Sequence, residues 1–159
     1  MKTSLFVLCF LFASISLSAQ DYSNLSQIEL KKAEDYSLQE SKVEESTDFI
    51  LSQPYKINQQ NKLYCIQYIL KWMEGTPDHT FNIGEDFVNF CGNDTELSTV
   101  YLASLAKSAV DEGVMDKSSE GLSSNAKGVF LDYCEKPENK VKKNRAIKKA
   151  LKERNNSAQ

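Results

Sequence analysis

The fold of this protein is decided first by residues 58–74, which read NQQNKLYCIQYILKWME. Apolar residues recur there with helical spacing, at Leu63, Ile66, Ile69, Leu70 and Met73. Three further residues widen this stripe, namely Cys65, Tyr68 and Trp72. A stripe this wide predicts a central, largely buried helix. Gly75 is expected to end it in the left-handed conformation, and Pro77 cannot continue it.

Spacing and punctuation predict further helices on both sides of this segment. Upstream, Ser37-Leu38-Gln39-Glu40 reads as a capping box that starts a helix, which Pro54 ends. Residues 83–90 fit either a short helix or a strand, and we favour the helix. Asn93-Asp94-Thr95-Glu96 reads as a second capping box, in front of a run of apolar residues and of small residues that would let a neighbouring helix approach closely. The remaining predicted helices cover residues 97–112, 122–133 and 142–154, and the last has an apolar edge of Ile147, Ala150 and Leu151.

These segments predict an all-α fold of five to six helices packed as antiparallel hairpins. The hairpins fit a compact bundle or a short stack of the tetratricopeptide type, and no signature repeats at the period of about 34 residues that such stacks show. We expect one helical domain over residues 37–154. Residues 20–36 show no clear periodicity, and residues 155–159 are expected to form a disordered tail.

The N-terminus has the pattern of a secretory signal peptide over residues 1–19. Lys2 precedes an apolar run from Leu5 to Ala13, and Leu17-Ser18-Ala19 offers a cleavage site. The run is too short to cross a bilayer, and Cys9 lies inside it rather than at a lipoprotein cleavage position. We expect export to the periplasm or the cell exterior with cleavage near Ala19, and no membrane span.

Charge is distributed unevenly along the chain. Residues 20–134 contain 9 Lys/Arg and 19 Asp/Glu, whereas residues 135–159 contain 9 and 3, which gives formal net charges of −10 and +6. A basic C-terminal helix that docks on an acidic body explains this asymmetry, and we favour that interpretation over an anionic partner. The acidic body argues against nucleic acid as a partner.

Cysteine and histidine are the residues that invite a catalytic interpretation. Cys65, Cys91 and Cys134 remain after the signal peptide, and their apolar neighbours predict free thiols in the core. A hydrolase that pairs Cys65 or Cys91 with His79 is one alternative, although neither thiol lies in a nucleophile motif. The spacing of Cys and His does not fit a metal knuckle, so we expect no metal and no cofactor.

The most distinctive string runs from Trp72 to Phe81 and reads WMEGTPDHTF. It follows the central predicted helix as a loop that contains the single histidine of the chain. Trp72, Asp78, His79 and Phe81 are therefore the candidate binding residues, while no catalytic residue can be assigned.

Trp72-Met73-Glu74-Gly75-Thr76-Pro77 resembles a motif of an uncharacterised family of small exported proteins from Bacteroidota bacteria. Residues 129–134 (VFLDYC) and 144–149 (NRAIKK) are similar to the C-terminal half of that family. The resemblance implies a helical fold and a location in the bacterial envelope. It brings no established activity, and therefore no catalytic residues.

The sequence leads to a function hypothesis and two alternatives. We expect a non-enzymatic helical module of the bacterial envelope that binds an unknown protein or a small ligand. The alternatives are the Cys/His hydrolase and a carrier of a small apolar ligand.

Overall fold

The computed structural model of the protein describes residues 21–157, and this part of the chain is helical without a strand. Its seven α-helices are α1 (Ala33–Leu38), α2 (Glu40–Ser52), α3 (Gln59–Gly75), α4 (Glu85–Cys91), α5 (Thr95–Val110), α6 (Ser119–Glu135) and α7 (Arg145–Ser157). Two short 3-10 helices occupy Ser23–Gln27 and Pro137–Asn139. The all-α class is confirmed, whereas the predicted number of five to six helices is too low. The predicted signal peptide lies outside the described residues.

The additional helix lies near the N-terminus, where the sequence predicted one helix beginning at Ser37. The chain instead forms α1 and then α2, with a break at Gln39. Ser37 lies inside α1, and its hydroxyl donates to the carbonyl of Glu34 at 3.2 Å instead of capping a helix. The carboxylate of Asp35 accepts two backbone N–H groups just before α1 and thereby stabilises its start. Part of residues 20–36, which showed no periodicity, is therefore helical.

The centre of the bundle is α5, which packs against α2, α3, α4 and α6. Its small residues are buried and allow these neighbours to approach closely, as predicted; they are Ala103, Ser104, Ala106, Ser108 and Ala109. α2 packs against both α3 and α5, although α5 is distant from it in sequence. This contact joins the α2–α3 pair to the α5–α6 pair, an arrangement that fits both a compact bundle and two neighbouring hairpins of a stack.

α3 is less central than its sequence predicted. Trp72 and Ile69 are fully buried, but Leu63 and Leu70 are 46% and 36% exposed. α3 packs against α1, α2, α5 and the first 3-10 helix, so its opposite side faces solvent. Gly75 is the last residue of the helix rather than a left-handed residue beyond it, and the glycine with positive φ among residues 21–157 is Gly92, at 52°.

A buried ion pair joins α3 to α5. Lys62 is 2% exposed, and its ammonium pairs with the carboxylate of Glu96 and donates to the carbonyl of Pro54 at 3.0 Å. Glu96 also accepts the backbone N–H of Lys56 at 3.1 Å. The sequence predicted that Glu96 closes a capping box, but its side chain reaches into the core. Asp94 caps α5 by accepting two N–H groups of the first turn.

α7 begins three residues later than predicted, because Asn144 caps it. The Asn144 side chain accepts the N–H of Ile147 at 2.9 Å and donates to the carbonyl of Phe90 at 2.9 Å. The helix continues to Ser157, so residues 155–157 form its last turn rather than a disordered tail. Within residues 21–157, no helix combines the length and apolar character needed to cross a membrane.

Candidate functional site

Three of the four predicted binding residues come together as an aromatic cluster. The ring centroids of Trp72 lie 5.9 Å from those of both His79 and Phe81, which are 6.3 Å from each other. Trp72 is fully buried, and its indole N–H donates to the carbonyl of Tyr36 at 3.1 Å. The loop after α3 thus folds back onto the end of that helix. The hydrogen bond of Trp72 also joins the end of α3 to α1. Asp78 is exposed and does not join the cluster.

His79 is half-buried against these rings, and its Nδ1 is buried without a hydrogen-bond partner. Desolvation lowers the pKa of the imidazole. The negative charge of Glu40 raises this pKa, and the positive charge of Lys117 lowers it further. The charge of Asp78 raises the pKa by a smaller contribution. A neutral imidazole packed on an indole stabilises the loop, as any aromatic contact would.

The three thiols within residues 21–157 are free and buried, as predicted from their apolar neighbours. Cys65, Cys91 and Cys134 are 0%, 3% and 0% exposed. Burial raises the pKa of each thiol to about 12. Since the thiolate is the nucleophile, these residues lack both the ionisation and the access that a Cys/His hydrolase requires. Within the described range, no group of three His, Cys, Asp or Glu residues could hold a metal ion.

A groove of about 590 Å³ lies between α6 and the loop that precedes it. Its lining combines Val114 and Val129 with the polar residues Asp116, Asn125 and Asp132. It includes none of the predicted binding residues. This mixed lining differs from the mostly apolar pocket that a carrier of a small apolar ligand needs.

A second groove, of about 470 Å³, is acidic and lies between the start of α2 and the end of α5. Glu40, Glu44, Asp111 and Glu112 line it. Asp48 extends this charge along α2, where Lys107 of α5 pairs with Glu44 and Asp48 at 2.9 and 3.0 Å. We call the five carboxylates the acidic surface; together with Lys107 they carry a formal net charge of −4.

α7 has two chemically distinct sides. Ile147, Ala150 and Leu151 are buried, as predicted, and α7 packs against α4 and α6. Arg154 lies on the same side, where its guanidinium pairs with Asp132 and Glu135 of α6, at 2.7 Å to each. The basic helix thus packs on the body as expected, through these apolar residues and the ion pairs of Arg154.

The opposite side of α7 carries four cations, Arg145, Lys148, Lys149 and Lys152, all of them exposed. Their spacing of three, four and seven residues places them on one side of the helix. Within residues 21–157, one of these cations forms an ion pair: Lys149 contacts Glu153 of the same helix at 3.7 Å. These four residues form what we call the outer face of α7. Charge distribution alone predicts that these cations dock on the acidic body of the same molecule, whereas in the structure they are exposed.

The fold and these surfaces define an all-α protein that separates a basic helix face from an acidic surface. No protein-family model matches the chain, and neither a curated protein nor a solved structure matches it.

Proposed function

We propose that this protein is a non-enzymatic interaction module of the bacterial envelope that binds an acidic protein surface through the outer face of α7. On this proposal it is exported, and the compact bundle of helical hairpins serves as a scaffold for that face. The observation that carries the proposal is the alignment of four exposed cations on a helix whose other side is anchored in the body.

The electrostatics favour a discrete acidic surface as the partner. The body of the protein, residues 20–134, carries a formal net charge of −10. Stiff duplex DNA or a flat anionic bilayer would meet this charge as well as the outer face and would be repelled, whereas a flexible acidic chain can contact α7 alone. A protein surface with a few carboxylates can approach α7 alone. Exposed ion pairs contribute about 0–1 kcal/mol each, so we expect weak and salt-sensitive binding.

The test compares two double charge reversals with the same change in net charge. Lys148→Glu/Lys152→Glu alters the outer face, and the control Lys31→Glu/Lys32→Glu alters exposed lysines before α1, a helix that packs against α2 and α3. Binding of poly-L-glutamate at low salt should be lost in the first variant and kept in the control. Equal binding by both variants, or tighter binding of wild type to duplex DNA or phosphatidylglycerol vesicles, would contradict the proposal.

A further inference from the structure

We propose that the acidic partner of the outer face of α7 is the acidic surface of a second copy of this chain. This inference rests on the proposed function and names the partner. α7 packs against α4 and α6, whereas the acidic surface belongs to α2 and the end of α5. Within residues 21–157, no ion pair joins the outer face to the acidic surface, so both remain available to another molecule.

The two surfaces match in charge. The outer face has four cations and the neighbouring Glu153, which gives a formal net charge of +3. The acidic surface with Lys107 carries −4. The carboxylates of Glu44 and Asp48 are 49% and 59% exposed, and Glu112 is also exposed. The outer face of one copy therefore attracts the acidic surface of another, whereas two outer faces or two acidic surfaces repel each other. Charge thus determines that unlike surfaces meet.

The two surfaces also match in length and shape. At 1.5 Å per residue, the outer face spans roughly 10 Å from Arg145 to Lys152, and the carboxylates of α2 span roughly 12 Å from Glu40 to Asp48. The acidic surface includes the concave groove between α2 and α5, whereas a helix side is convex. Lysine side chains are long and flexible enough to place their ammonium groups in such a groove.

This contact joins different surfaces of identical molecules. Two copies joined by one such contact still present one free outer face and one free acidic surface, which either pair with each other in a symmetric dimer or bind further copies into a ring or a chain. Self-association should therefore grow with protein concentration. It should weaken when salt screens the charges, because the Debye length falls to about 3 Å at 1 M salt.

The test is a charge swap followed by sedimentation velocity. One variant, Lys148→Glu/Lys152→Glu, changes the formal net charge of the outer face from +3 to −1, and the other, Glu40→Lys/Glu44→Lys/Glu112→Lys, changes that of the acidic surface from −4 to +2. Wild type should associate at low salt, and each variant alone should associate at least about tenfold more weakly. An equimolar mixture should regain association, because the acidic outer face of one variant meets the basic surface of the other. Circular dichroism checks that both variants fold, and the salt dependence of wild type needs no variant.

Two outcomes overturn the inference: wild type that stays monomeric at low salt at every concentration, or a mixture that behaves as the sum of its separate variants. In either case, binding of poly-L-glutamate that depends on Lys148 and Lys152 would leave the proposed function standing. Loss of that binding as well would remove both. Association that persists at about 1 M salt would also contradict the inference, since charge pairing is screened there.

Discussion

The phenol of Tyr36 fills the space beside Gly75 in which any other side chain would begin. A Cβ on Gly75 would lie 2.0 Å from the Tyr36 hydroxyl oxygen. Tyr36 also supplies the carbonyl that accepts the indole N–H of Trp72. The end of α3 is therefore fitted to α1 at two adjacent points, and the glycine of the WMEGTP string leaves room for the Tyr36 phenol.

This contact predicts opposite effects for two glycine substitutions. Gly75→Ala forces the Tyr36 ring to move and should destabilise the protein by about 1–3 kcal/mol. Gly128→Ala, inside α6, has nothing within 4 Å of the new Cβ and should stabilise by up to about 1 kcal/mol, because alanine favours helix. Urea unfolding of both variants measures the difference. Equal effects would show that Tyr36 does not occupy this space.

The buried pair of Lys62 and Glu96 predicts a large effect when one partner is removed. Lys62→Met leaves the Glu96 carboxylate without its cation inside the core, which should cost about 3–5 kcal/mol. The double variant Lys62→Met/Glu96→Gln should be more stable than the single one, because no charge is buried and the glutamine oxygen still accepts the N–H of Lys56. A double-mutant cycle by urea unfolding measures this coupling, and strictly additive effects would contradict the pair.

His79 predicts a pH dependence below neutrality. Desolvation lowers the pKa of the folded imidazole from the ordinary value of 6.5. As pH falls below 6.5, the unfolded chain binds a proton before the folded protein does, so stability decreases until the folded pKa is reached. His79→Gln should remove this decrease. The chain has a single histidine, so an NMR titration of its Cε1 proton gives the pKa directly, and a value above 6.5 would contradict the burial.

The thiols predict resistance to labelling in the native state. With the pKa of Cys65, Cys91 and Cys134 raised to about 12, their thiolate fraction at pH 8 is very small. Ellman's reagent should react with the folded protein at least about a hundredfold more slowly than with the urea-unfolded chain. Between about pH 9 and 12, the unfolded thiols lose protons that the folded ones keep, so stability should also fall there. Rapid reaction of Cys65 or Cys91 in the native state would revive the hydrolase hypothesis.

Local pattern predicted much of this fold because several elements depend on their own residues. The small residues of α5 and the apolar edge of α7 lie where helical spacing placed them, at Ala103–Ala109 and at Ile147, Ala150 and Leu151. Gly92 ends α4 with positive φ, a conformation that glycine adopts readily. In each case the residue type together with its position along the helix indicates whether the side chain is buried or where the helix stops.

The differences arise where contacts between distant residues override local signals. Glu96 fits a capping box in sequence, but pairing with Lys62 draws its side chain into the core. A glycine at this position suggests a left-handed helix end, but Gly75 lies within α3, and its missing side chain leaves space for the Tyr36 ring. Asp78 precedes His79 in the chain but remains exposed, because the loop turns only the imidazole toward Trp72. None of these partners is identifiable from spacing along the chain.

The sequence predicted the cations of the outer face but not which of them face away from the body of the protein. The cations of residues 142–154 were evident, but their division into an anchored Arg154 and four outward residues depends on where α7 begins and which side it buries. A helix that started at residue 142 would include Lys142 and Lys143, whereas both lysines precede α7. The outer face therefore became definable only with the helix in place.

The most direct test of the interaction surface is a titration of 15N-labelled protein with poly-L-glutamate at low salt, followed by 1H–15N correlation spectra. The account predicts saturable shift changes centred on Arg145, Lys148, Lys149 and Lys152 that disappear at about 1 M salt. Shift changes centred on residues 76–81, or none at all, would contradict it.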